Sequence, residues 1–168
     1  MKPEQLSQQL RLGAGKFLPQ RRSIVGLEMV AVGAMSLITL YQMGIIKHLP
    51  EPPFRGLDAD RVDASAEAYS RFSTPDGILG IGNYAITMGL AAMGGQNRAQ
   101  EQPWIPLALA AKVAFDVSQA IRLFVDQKTK YHAFCSWCLL AAGTTLVTVP
   151  LVIPETYAAL RRLLGKAA

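Results

Sequence analysis

The chain's two cysteines stand together in Phe134-Cys135-Ser136-Trp137-Cys138-Leu139-Leu140. Two thiols at this spacing can cycle between dithiol and disulfide, or bind a soft metal. The residues after the pair narrow the chemistry. From Leu139 to Ile153 they are apolar apart from three threonines, Gly143 and Pro150. The pair therefore sits where a helix enters a membrane. A dithiol there can exchange disulfides with a soluble partner and also meet a lipid-soluble oxidant. A helix N-terminus favours the thiolate, which is the attacking form. By position, Cys135 lies nearer the surface and suits a protein thiol, whereas Cys138, one turn deeper, suits the oxidant. An inert structural pair, or half of a soft-metal site completed by Met or His, remains open on the residues alone.

Composition supports a membrane setting. Hydrophobic residues make up 51% of the 168 and charged residues 17%, with positive mean hydropathy. A hydrocarbon core of about 30 Å takes roughly 20 apolar residues as helix. Four stretches qualify: Ile24–Ile46, Ile78–Met93 with its flanks, Trp104–Val125 and Phe134–Ile153. The architecture expected is all-α, a membrane-embedded bundle of four transmembrane helices spanning 24–154. Cytoplasmic tails over 1–23 and 155–168 flank it, and an outer loop covers 47–75. Lys16–Arg22 precedes an apolar run too long for a cleaved signal, so that run is read as a retained first span.

The formal charge of +5 is read as topology. Lys2, Arg11, Lys16, Arg21 and Arg22 crowd one tail, and Arg161, Arg162 and Lys166 the other. The 47–75 loop mixes four basic with five acidic residues. Positive charge marks the cytoplasmic side, so both termini are placed inside and the loop outside, with the cysteines. This makes the chain an inner (plasma) membrane protein with several spans. No basic patch carries interleaved aromatics, so nucleic acid is not an expected partner.

Several other residues invite chemistry. Asn83, inside the second span, can donate to a carbonyl that gains charge on reduction, or bond a neighbouring helix. Lys112 and Asp116, at i and i+4 near mid-membrane, are expected to pair and face inward. A proton route is the other use for them. His132 can serve as a base beside Cys135, though an interfacial His is more commonly solvated. Trp104, Trp137, Tyr131 and Tyr157 suit the membrane interface, and Arg122 suits snorkelling. Glu28, one turn into the first span, is expected to reach headgroups. Val62, Tyr69 and Phe72 have the spacing of a short amphipathic helix on the membrane surface.

Ala133-Phe134-Cys135-Ser136-Trp137-Cys138-Leu139-Leu140 resembles the active-site segment of the bacterial vitamin K epoxide reductase family. Gly80-Ile81-Gly82-Asn83 resembles that family's Gly-Ile-Pro-Asn opening of helix two, with Gly82 in place of proline. The similarity runs from about Phe72 to Pro154. It implies a four-helix bundle holding a quinone, ubiquinone or menaquinone, beside the CxxC. It implies that Cys135 and Cys138 are catalytic, with Asn83, Gly80 and Trp137 around the quinone. The resemblance also implies an exported thiol protein as electron donor. One departure is plain: the family's second cysteine pair, in the loop after helix one, is missing, since no cysteine lies between Lys47 and Pro75. Two functions are compatible with this pattern. One is a thiol:quinone oxidoreductase, served directly by a partner's thiol. The other is a non-catalytic member of the fold, acting as an integral subunit of a larger membrane complex.

Overall fold

The computed structural model describes residues 2–165, so Lys166, counted among the tail charges, lies outside the described residues. The chain is all-α. Four long helices, α2 (Leu18–Gln42), α4 (Asp76–Ala92), α6 (Trp104–Asp126) and α7 (Ser136–Leu163), pack into a bundle. The others are short: α1 (Pro3–Leu12), α3 (Ala59–Asp63) and α5 (Arg98–Glu101). Among the described residues the extended pairing is one isolated bridge, between Leu57 and Phe134. Two of the four long helices, α2 and α7, are long and apolar enough on their own to cross a membrane.

Glycine lets α4 lie close against α2. A Cβ on Gly80 would fall 2.5 Å from the Met35 sulfur of α2, so the Met35 side chain would have to shift to admit it. Glu28 does not reach outward. It is 2% exposed and accepts a bond from Thr148 Oγ1 of α7 at 3.2 Å. The expectation that it touches headgroups fails because its side chain faces α7.

Charge also sets where the helices end. Arg21 reaches the carbonyls of Ala91, Ala92, Met93, Gly94 and Gly95, at 2.8 to 3.0 Å. These include the acceptors a helix leaves unused at its C-terminus. Arg98, fully buried, adds bonds to Leu90, Ala91 and Met93, and pairs with Glu155 through two contacts of 2.8 and 2.7 Å. Arg21, read from sequence as a tail charge, is thus an interior clamp, and helix begins at Leu18 rather than Ile24. The same clamp bears on α7. It runs through Pro150 and Pro154 to Leu163, ten residues beyond Ile153, with Glu155 held just past the second proline.

The 47–75 loop folds back as a cap over the start of α7 instead of lying as one amphipathic helix. Asp58 caps α3 by accepting from Arg61 N at 3.0 Å. A single 3₁₀ turn, Ala66–Tyr69, comes next, and the Ser70 hydroxyl bonds back to the Glu67 carbonyl at 2.8 Å. Serine bonding to nearby backbone competes with helix continuation. Val62 consequently points down into the core, whereas Phe72, with φ 55°, stays exposed.

Candidate functional site

The cap is fastened to α7 around the cysteines. Phe134 N donates to Gly56 O at 2.8 Å and Asp58 N to Phe134 O at 2.9 Å. Glu51 spans both sides, accepting from Ala59 N at 2.5 Å and from Ser136 N at 2.7 Å. Trp137 donates its indole N–H to Pro50 O at 2.9 Å. These bonds together hold the loop down on the helix start. From the other side, Gln127 in the π-turn Gln127–Tyr131 accepts from Cys135 N at 3.0 Å.

Beneath that cap, Cys135 is the N-cap of α7, and its sulfur accepts from Cys138 N at 3.2 Å. Both cysteines are free thiols. Their environments differ. Cys135 has no exposed surface and is packed among Ile38, Leu49, Ala59, Val62 and Ala133. Cys138 is partly exposed and lies on a cavity wall. The expectation that Cys135 is the outward thiol is therefore overturned, because the folded loop encloses it. Cys138 is the sulfur the fold presents.

That cavity, of about 450 Å³, lies between α4, α6 and α7 under the cap. Gly80, Asn83 and Tyr84 line it from α4, Phe115 and Asp116 from α6, and Cys138 from α7. Its volume falls in the range of pockets that hold small molecules. Cys138, Asn83 and Gly80 thus come to one space. Cys135 is immediately behind Cys138, and Trp137 lies off the wall, against the cap and α2.

Asn83 belongs to a polar cluster. Lys112 Nζ approaches both Asp116 oxygens at 2.6 Å, donates to Asn83 Oδ1 at 2.9 Å and to Thr87 Oγ1 at 3.2 Å. Asn83 Nδ2 donates to Asp116 Oδ1 at 2.9 Å. The expected i,i+4 pair is present, its side chains 15% and 5% exposed. Of the two uses for Asn83, the structure shows the interhelical bond, and its second amide N–H has no bond among the described residues. His132, exposed and at φ 50°, takes no part in the bonds around the thiols.

A residue not singled out from the sequence completes the site. Asp63, at the end of α3, accepts from the Cys138 thiol through Oδ1 at 3.6 Å. One carboxylate oxygen and the two sulfurs lie within 4.8 Å of one another. Asp63 is 2% exposed, and its Oδ2 is buried with no partner. Burial pushes its pKa up to about 7; nearby Asp76 and Glu51 add to this, while the cysteine hydrogen bonds oppose it. The three donors make an incomplete metal site, since structural zinc takes four ligands and no fourth His, Cys, Asp or Glu joins them among the described residues. Only the loop's return over α7 brings Asp63 here, and spacing along the chain gives no sign of it.

A model of the vitamin K epoxide reductase family matches residues 22–153, which include α4, α6, the cap and both cysteines. No curated protein matches the chain.

Proposed function

Because the chain belongs to the vitamin K epoxide reductase family, we propose that it is a membrane thiol:quinone oxidoreductase that passes electrons from an exported thiol protein, through Cys135 and Cys138, to a quinone. One observation carries the reading. The Cys138 thiol opens onto a cavity between the helices while Cys135, with no exposed surface, waits behind it. Two sulfurs so placed can close a disulfide as the electron pair leaves toward a ligand in the cavity. Two S–H bonds break, one S–S bond forms, and the quinone leaves as quinol.

The other residues have roles that their placement supports. The free amide N–H of Asn83 donates to a quinone oxygen as charge builds there. Gly80 leaves the wall without a side chain. Trp137 acts at one remove, pinning the cap through Pro50. In this reading α2, α4, α6 and α7 each span the inner membrane, both termini are cytoplasmic and the cap is outside. Large apolar side chains such as Met29, Ile86, Ile121, Leu146 and Ile153 point outward, while Glu28, Asp116 and Thr148 face the interior. Such a distribution suits hydrocarbon as the surrounding solvent. Ubiquinone and menaquinone both suit the cavity's chemistry.

The cap has no cysteine, so no intramolecular relay can refill the pair, and a separate thiol must do so. That same lack favours the second reading, a non-catalytic subunit of a larger membrane assembly. One experiment separates them. The reduced full-length protein in detergent, mixed with a short-chain quinone, is expected to yield one quinol for each Cys135–Cys138 disulfide formed. A dithiol that stays reduced would remove the enzyme and leave the subunit.

A further inference from the structure

We infer that Asp63 is the acid–base residue of the dithiol, taking the proton of each thiol as it is oxidised and returning it to the reduced quinone. This rests on the thiol:quinone reading. A buried carboxylate with only a structural role is normally satisfied at both oxygens or paired with a cation. Asp63 has neither. Its Oδ2 is buried without a partner, and no ion pair among the described residues involves it. Its Oδ1 is instead aimed at the Cys138 sulfur, 3.6 Å away.

The surroundings hold that aim. Gln42 Nε2 of α2 donates to the Asp63 carbonyl at 3.2 Å and to Asp76 Oδ1 at 2.6 Å. Asp63 is faced by Cys135 and Cys138 from α7, Asp76 from α4, Glu51 from the loop, Tyr41 and Gln42 from α2, and Tyr69 from the 3₁₀ turn. None of these is a cation. With a pKa raised to about 7, Asp63 can both take and release a proton near neutrality, as an efficient general base requires.

The Cys138 S–H proton moves to the Asp63 carboxylate, and the freed sulfur electron pair reduces the quinone as Cys135 Sγ bonds Cys138 Sγ. The Cys135 proton takes the same route. Two protons and two electrons leave the dithiol, two O–H bonds form on the quinol, and Asp63 ends as a carboxylate.

The test uses the full chain in detergent, with rapid mixing of reduced protein and ubiquinone-1 over a range of pH. Wild-type oxidation is expected to speed up as pH rises through about 7, where Asp63 becomes a carboxylate, and then to level off. Asp63→Asn is expected to be roughly 100-fold slower at neutral pH, the lower end of a general base's contribution. It should also lose the inflection, its rate climbing with pH as hydroxide replaces the base. Asp63→Glu should restore the inflection, which a merely structural carboxylate would not do. Wild-type speed and pH profile in Asp63→Asn would overturn the role. So would a wild-type rate that does not change with pH, whether or not the variant folds. A wild-type dithiol that no quinone oxidises at any pH would instead sink the thiol:quinone reading itself.

Discussion

Cys138→Ser is expected to lower quinone-driven oxidation to the uncatalysed background, whereas Trp137→Phe leaves most of it. Cys138 is the sulfur on the cavity wall, and the chain has no third cysteine to take its place. Trp137→Phe removes one bond to Pro50 and keeps the ring against α2. Cys135→Ser is expected to be equally inactive but to differ in what it captures. A mixed disulfide is released when the second thiol of the pair attacks it. With Cys135 gone, a donor joined to the presented Cys138 stays attached, visible as a reducible band of higher mass. Cys138→Ser should capture far less, because Cys135 has no exposed surface under the cap. Capture on Cys135 rather than Cys138 would mean that the cap opens during turnover.

Loss of the Arg98–Glu155 pair is expected to be the costliest single change to stability. Arg98→Met strands a carboxylate that is 5% exposed and removes three bonds donated to the end of α4. Breaking a buried pair from one side costs about 3–5 kcal/mol. The double change Arg98→Met with Glu155→Leu should be less destabilised than Arg98→Met alone, since no charge is then left unpaired. Unfolding in detergent, followed by circular dichroism, would show this. Losses that simply add would mean the two side chains do not depend on each other.

How far the sequence speaks varies by residue. Helices α2 and α7 are legible from run length, because a stretch of about 20 apolar residues has few other fates; α4, at 17 residues, and α6, which carries Lys112, Asp116 and Arg122, stand out less by apolar length. Lys112 and Asp116 are legible because i,i+4 spacing places them on one helix face. Other features depend on partners distant in the chain. Arg21 looks like a tail charge until α4 ends beside it, and Glu28 like a headgroup contact until Thr148 is seen across from it. The cysteines are legible as a pair, but which of them is presented is not. That depends on a loop whose polar composition suggests exposure, yet which Glu51 and the bridge at Phe134 fold over Cys135. Asp63 is hidden for the same reason. In sequence it is one of five acids in a mixed-charge loop, and only the fold sets it against a thiol.

That the Cys135–Cys138 pair gives its electrons to a quinone can be checked in the membranes of cells that make the protein, by thiol alkylation that shifts the mass of the reduced form. With quinone present, the pair is expected to stand largely as the disulfide. In cells depleted of quinone it should accumulate as the dithiol, and return to the disulfide when a quinone is supplied. A pair whose state is the same in quinone-replete and quinone-depleted membranes would contradict the claim.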